Sequence, residues 1–320
     1  MATDSTQQGA EEDRRIASDP RWLAAGAAGL AAAVLTLWGF RGMPGGALTL
    51  WLAPLPLFMA GIGFGAGAMI AAVGVAFVAL LAVGSSLGAG LFLGIFGAPA
   101  AALVLAARRS AESGLAVPDL AASFTLLGIL PAAGVAVAAW LLSDVPGGME
   151  GALRGAVEQA MSRMGLPVAE GLVSELVRVK AAAIGFWVAM ALLINAAAAS
   201  GLLVRLGITT ARPAFREARL PAWYVVLPFI ALGLWLAAEE GSDAVELSLL
   251  LALMVPVFLH GLAAFHRATA ALRGRPMVLG GAYAALLIMS VPVALAVTGY
   301  GLFDILNGTR GRRGAPPPQR

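Results

Sequence analysis

Three stretches of this chain, Lys180 to Val204, Trp223 to Ala238 and Leu247 to His266, contain no Asp, Glu, Lys or Arg beyond Lys180. A helix crossing the roughly 30 Å hydrocarbon layer of a bilayer needs about 20 apolar residues, longer than an ordinary buried core helix demands. Runs of this kind recur along almost the whole sequence, so its main solvent is lipid. Composition agrees, with 60% hydrophobic and only 12% charged residues, against about 25% charged in a soluble domain. The expected fold is all-α, a polytopic transmembrane bundle of about nine spans, eight to ten. Forty glycines and abundant alanine suit close helix contact where lipid provides no hydrophobic drive.

Orientation follows from the linker Arg205-Leu-Gly-Ile-Thr-Thr-Ala-Arg-Pro-Ala-Phe-Arg-Glu-Ala-Arg-Leu-Pro-Ala-Trp223. Arginine in short loops stays cytoplasmic, so Arg205, Arg212, Arg216 and Arg219 mark an inside loop. Arg108 with Arg109, and Arg267 with Arg273 and Arg275, mark two more. Residues 1–21 read as a disordered cytoplasmic tail, rich in mixed charge and without apolar periodicity. Five spans are expected over 22–142. The second carries Pro54 and Pro56, which remove helix hydrogen bonds and break it. Gly61, Gly63, Gly65 and Gly67 follow it and read as a tight turn or close crossing, because no Lys-Ser/Thr completes a phosphate loop.

Residues 143–179 differ from the rest. Met149, Leu153, Ala156, Val157, Ala160, Met161 and Met164 form an apolar stripe opposite Glu150, Arg154 and Glu158. This predicts an amphipathic helix on the membrane surface or over the bundle mouth, with a second such helix starting at Pro167. Four further spans are expected over 180–306. The last is Val278 to Val297, followed by a basic, proline-rich tail over 307–320. Between the seventh and eighth spans, Glu239, Glu240, Asp243 and Glu246 read as a solvated outside loop. Nine crossings leave Arg310, Arg312 and Arg313 outside, against the charge rule; either the tail is a tolerated exception or a proline-broken segment near Pro292 is miscounted.

Polar groups inside the apolar runs are the functional candidates, since lipid penalises them without a partner. Asn195 and His260 lie at comparable depth in the sixth and eighth spans. With backbone carbonyls freed at Pro54 and Pro56, they are expected to face inward and share one small-molecule ligand. His260 and His266 are six positions apart and do not share a helix face, so no metal site is expected on that helix. The absence of cysteine removes thiolate ligands and nucleophiles, no Ser-His-Asp or His-Glu-x-x-His arrangement can be assembled, and neither a cofactor nor enzymatic chemistry is expected. A net charge of +3 fits cytoplasmic loops beside anionic lipid rather than nucleic-acid binding.

Ala53-Pro-Leu-Pro-Leu57, Phe215-Arg-Glu-Ala-Arg-Leu-Pro-Ala-Trp223, His260-Gly-Leu-Ala-Ala-Phe-His266 and Gly301-Leu-Phe-Asp304 together resemble the YybS-like family of predicted bacterial membrane proteins, in order and spacing from about Trp22 to Arg313. The chain is similar, more distantly, to the substrate-binding membrane components of energy-coupling-factor transporters. That likeness implies docking on another membrane subunit through a small-residue face, here Ala24, Ala28 and Ala32. The resulting expectation is a multi-pass inner-membrane protein with a cytoplasmic N-terminus. It would be a transport-related component that binds or passes a small solute between the sixth and eighth spans. The alternative is a non-catalytic scaffold whose surface helices and arginine linker recruit other proteins.

Overall fold

The computed structural model describes residues 19–84, 86–112, 120–163, 165, 170–209, 215–239 and 243–313. Most of the N-terminal tail, Met164, Pro167, Arg212, Glu240 and residues 314–320 therefore lie outside the described residues. The fold is an all-α polytopic helical bundle, with eight helices among the described residues long and apolar enough to cross a membrane. Two shorter apolar helices, Ala222–Ala237 and Arg275–Ile288, accompany them. The chain forms two compact units, Met1–Glu112 with Met190–Pro213, and Ser113–Ala189 with Ala214–Arg320. This division does not follow the two halves read from the order of the spans, because the fifth span and part of the sixth pack with the C-terminal residues.

In the first unit, Asp19 caps α1 (Pro20–Phe40) by accepting a hydrogen bond from the Arg21 N–H. The buried face of α1, Ala25, Gly29, Ala32, Ala33 and Thr36, is built of small residues. A Cβ on Gly29 would lie 2.5 Å from the Ala72 carbonyl and 2.8 Å from Val75. That is how α1 and α4 (Ala66–Val83) come close without a polar contact. Between them the expected break in the second span divides α2 (Gly46–Leu52) from α3 (Pro54–Phe64) at the single residue Ala53. Pro54 opens α3 at its first position, where a missing N–H costs nothing. Gly65, with φ +103° and ψ 179°, then separates α3 from α4 in a conformation open essentially to glycine alone. The glycine run is thus a turn, and Gly61 packs close to Met69 and Val104 as well. The fourth span is α5 (Ser86–Phe92) and α6 (Ala98–Glu112), joined by one π turn at Leu93–Gly97.

The second unit begins with α7 (Ala121–Leu141) and α8 (Gly148–Arg163). The apolar stripe of α8 is turned onto protein. Met149 packs with Val135 and Ala244, and Val157 and Met161 pack with Val173 and Val177. The helix expected from Pro167 is described from Glu170 onward, where it is helical and continuous with the next span. Residues from Glu170 belong to α9 (Glu170–Arg205), which runs for 36 residues without a break. At 1.5 Å per residue it is about 54 Å long, well beyond the roughly 30 Å hydrocarbon layer.

After the linker come a 3₁₀ turn at Ala222–Val225, α10 (Val226–Ala237) and α11 (Ala244–Ala268). Asp243 does not sit in a solvated loop. It is 5% exposed and accepts a hydrogen bond from Trp235 Nε1 at 2.8 Å. α11 is the centre of this unit, with 67% of its apolar stretch buried. Pro256 interrupts its hydrogen-bond ladder, and the buried Tyr224 hydroxyl donates to the Leu253 carbonyl at 3.0 Å one turn earlier. The hydroxyls of Thr36, Thr125, Ser248 and Thr298 satisfy themselves on the preceding turn of their own helices.

The expected final span, Val278 to Val297, is not one helix. α12 (Arg275–Ile288) stops at Met289, whose φ of −117° and ψ of 52° leave the helical region. α13 (Ser290–Arg313) then starts, with Pro292 in its first turn. Apolarity is continuous across the break, so hydropathy alone does not reveal it. α13 carries Gly301 and Asp304 within the helix rather than after it. Asp304 meets Arg267, which also holds the linker.

Candidate functional site

The densest polar cluster described inside the apolar helices lies where the linker, α11 and α13 meet. α11 and α13 cross at two glycines. A Cβ on Gly261 would overlap the Val297 carbonyl, and one on Gly301 would lie 2.5 Å from the Val257 carbonyl. This closeness brings the neighbouring residues His260 and Asp304 together. His260 is 2% exposed, and its Nε2 lies 2.9 Å from Asp304 Oδ2. Arg267, two turns further along α11, donates from Nη2 to the same oxygen at 2.7 Å.

Arg267 also holds the linker. Its Nη1 donates to the Arg216 carbonyl at 2.8 Å and the Ala218 carbonyl at 3.2 Å. The planar guanidinium suits this double task, because its donors leave in fixed, diverging directions. The Leu220 N–H donates to His260 Nδ1 at 3.1 Å. Phe215 packs its ring against Phe124, with centroids 5.7 Å apart, and edge-on to His266 at 6.5 Å. Ala218 and Leu220 are buried. What reads in the sequence as a charged loop is therefore a segment docked along its length from Phe215 to Leu220.

These contacts fix the protonation of the ring. A backbone N–H can only donate, so Nδ1 must present its lone pair to Leu220. The proton of the neutral ring then sits on Nε2 and is donated to Asp304. The result is a histidine of set tautomer, an anionic acceptor shared with Arg267, and a backbone donor from the linker. Chemically this arrangement can accept, hold or pass a proton at one ring nitrogen. His266, by contrast, faces Tyr283, with Nε2 and the hydroxyl oxygen 2.8 Å apart.

Asn195 is 1% exposed, and its Nδ2 donates to the carbonyls of Trp51 and Ala191, each at 2.7 Å. Trp51 sits three residues before Pro54, so one of the carbonyls loosened by the proline break is taken up by Asn195 itself. Asn195 belongs to the first unit and His260 to the second, and each finds the partners named here within its own unit. Pro54 is buried and Pro56 half-buried beside the break. On α1, Ala32 has no exposed surface while Ala24 and Ala28 are half-buried, so part of this small-residue face is used inside the unit. Replacing Asn195 with Leu should cost about 1 kcal/mol, the usual size of a polar side-chain contact in a membrane bundle. Its melting temperature in detergent, compared with wild type, checks this.

Arg267 and Asp304 are not among the site residues expected from the sequence. Arg267 reads there as a topology marker, and Asp304 as a residue beyond the last span. The available signal is that the linker, the His260 stretch and the Gly301 stretch are three of the motifs singled out in the sequence, and these three meet here.

A chain whose buried polar groups lie within long apolar helices and pair with one another is a multi-pass membrane protein. Its residues 30–305 match the family described as Predicted membrane protein (DUF2232), and the chain belongs to that family. Searches of curated proteins and of solved structures found no match.

Proposed function

We propose that this protein is a transport-related membrane component that binds or passes a small solute, with His260, Asp304 and Arg267 as its working site. The observation that carries this reading is the ionisable cluster itself, a buried histidine held against a partly exposed carboxylate and guanidinium within apolar helices. Charged and titratable groups within apolar helices are costly, and in membrane proteins they mark solute paths and proton relays. Here a histidine with one free choice of protonation stands against a carboxylate and beneath a docked linker. On this reading Asn195 holds the proline break closed rather than touching solute. The protein would lie in the bacterial inner membrane, with the arginine linker and both ends of the chain on the cytoplasmic side. The YybS-like naming and the likeness to substrate-binding components of energy-coupling-factor transporters belong to the same reading, including its expectation of a partner membrane subunit.

The test is a melting-temperature screen of the purified full chain against vitamins, metal ions and metabolites, run beside Asp304→Asn. A ligand at about 100 times its Kd stabilises by roughly 2.7 kcal/mol. At least one compound should raise the melting temperature of wild type and lose that effect in the variant. Compounds that shift both proteins equally would put the binding site elsewhere, and a panel with no active compound would remove the solute reading.

A further inference from the structure

We propose that the linker from Phe215 to Trp223 is a proton-controlled latch, in which docking of Leu220 on His260 and uptake of a second proton by that ring exclude each other. The neutral ring already carries its proton on Nε2, facing Asp304 Oδ2 at 2.9 Å. A second proton has only Nδ1 to occupy, and Nδ1 is the acceptor of the Leu220 N–H at 3.1 Å. Protonation there would set two donors face to face, so the Leu220 hydrogen bond breaks as the new N–H bond forms.

The charges around the ring support an exchange of states. From α13, Asp304 favours an imidazolium. From α11, Arg267 opposes it and shares the same carboxylate oxygen. Arg219 immediately precedes Leu220 in the linker, so lifting this part of the linker carries a positive charge away as the ring gains its own. Glu217 is engaged by Arg216 at 3.6 Å on the exposed side, and His266 pairs with Tyr283. Arg267 keeps its charge at any ordinary pH, so its bonds to the Arg216 and Ala218 carbonyls do not titrate. The Phe215 end therefore stays anchored while the Leu220 end releases.

The docked state binds one proton fewer, so by linkage docking is favoured at high pH and release grows as pH falls. Release uncovers Leu220, 6% exposed when docked, and the His260 ring beneath it. If the cluster is the working site proposed above, it becomes reachable from the linker side only once it has taken up a proton. That consequence rests on the proposed function; the exclusion itself does not.

The natural chain contains no cysteine, so single reporters can be placed freely. Leu220→Cys keeps the backbone N–H and reports on the latch. Leu272→Cys, at a half-exposed position in the turn after α11, serves as the reference, and the ratio of their maleimide labelling rates cancels the thiol's own titration. In full-length protein in liposomes, that ratio should rise about tenfold between roughly pH 8 and pH 5. It should stay flat in a His260→Gln background, because the amide can accept from Leu220 and donate to Asp304 without binding a proton. A flat ratio with His260 present, or an equal rise in the His260→Gln background, overturns the proposal. Should His260→Gln fail to fold, Asp304→Asn carries the test: without the carboxylate the imidazolium is less favoured, and the rise must move to lower pH. An unmoved rise overturns the latch as well. Labelling needs no solute, so its failure and that of the solute screen are separate results.

Discussion

Gly261→Ala should destabilise the second unit by about 2 to 3 kcal/mol, the upper part of the range for overpacking, and Gly261→Leu should prevent its assembly. The reason is the identity of the neighbour. A Cβ at this position would overlap the Val297 carbonyl, which is backbone and cannot turn aside as a flexible side chain can. The only relief is to part α11 from α13, and parting them pulls Asp304 away from His260. Gly280→Ala on α12 is the matched comparison, since a Cβ there meets nothing within 4 Å. It should change stability by no more than about 0.5 kcal/mol. Melting of the three purified variants decides the matter, and an unchanged Gly261→Ala would mean that the helices cross further apart than described.

Asp304→Ala should cost about 2 to 3 kcal/mol. Removing one partner of a fully buried ion pair costs about 3 to 5 kcal/mol, because the remaining charge is left without compensation. The estimate here is lower because the carboxylate is 39% exposed and Arg267 23% exposed. Two donors, His260 Nε2 and Arg267 Nη2, would lose their shared acceptor. Glu217→Ala provides the contrast. Its ion pair with Arg216 is on the exposed side of the linker, where such pairs contribute about 0 to 1 kcal/mol. Equal stability losses for the two variants would show that Asp304 acts as an ordinary surface carboxylate.

The parts legible in the sequence are those decided by solvent. Apolar length places the spans, and the penalty on polar groups in lipid singles out Asn195 and His260, both almost fully buried. The parts that are not legible are decided by which element meets which. The break at Met289 falls inside continuous apolarity, so the sequence alone puts Asp304 beyond the last span rather than within it. With Asp304 misplaced, Arg267 has no visible partner and reads only as a charge marking a loop. The segment before Lys180 has the same amphipathic pattern whether it lies flat on a membrane or continues a helix out of one. Asp243 reads as solvated because its neighbours in sequence are acidic, yet its indole partner Trp235 lies eight residues back on the preceding helix.

The helix α9 belongs to both compact units, its residues up to Ala189 to one and those from Met190 to the other. This has a consequence for the order in which the chain can be completed during synthesis. The first unit takes its last helical segment from residues made after the fifth span, α8 and the opening of α9. Until then the Trp51 carbonyl must wait for a donor 144 residues downstream in Asn195. A chain interrupted after Glu112 would hold all the N-terminal spans and still lack the clamp on its own proline break. The four N-terminal spans therefore cannot reach their final packing as they emerge; that packing must follow insertion of the sixth.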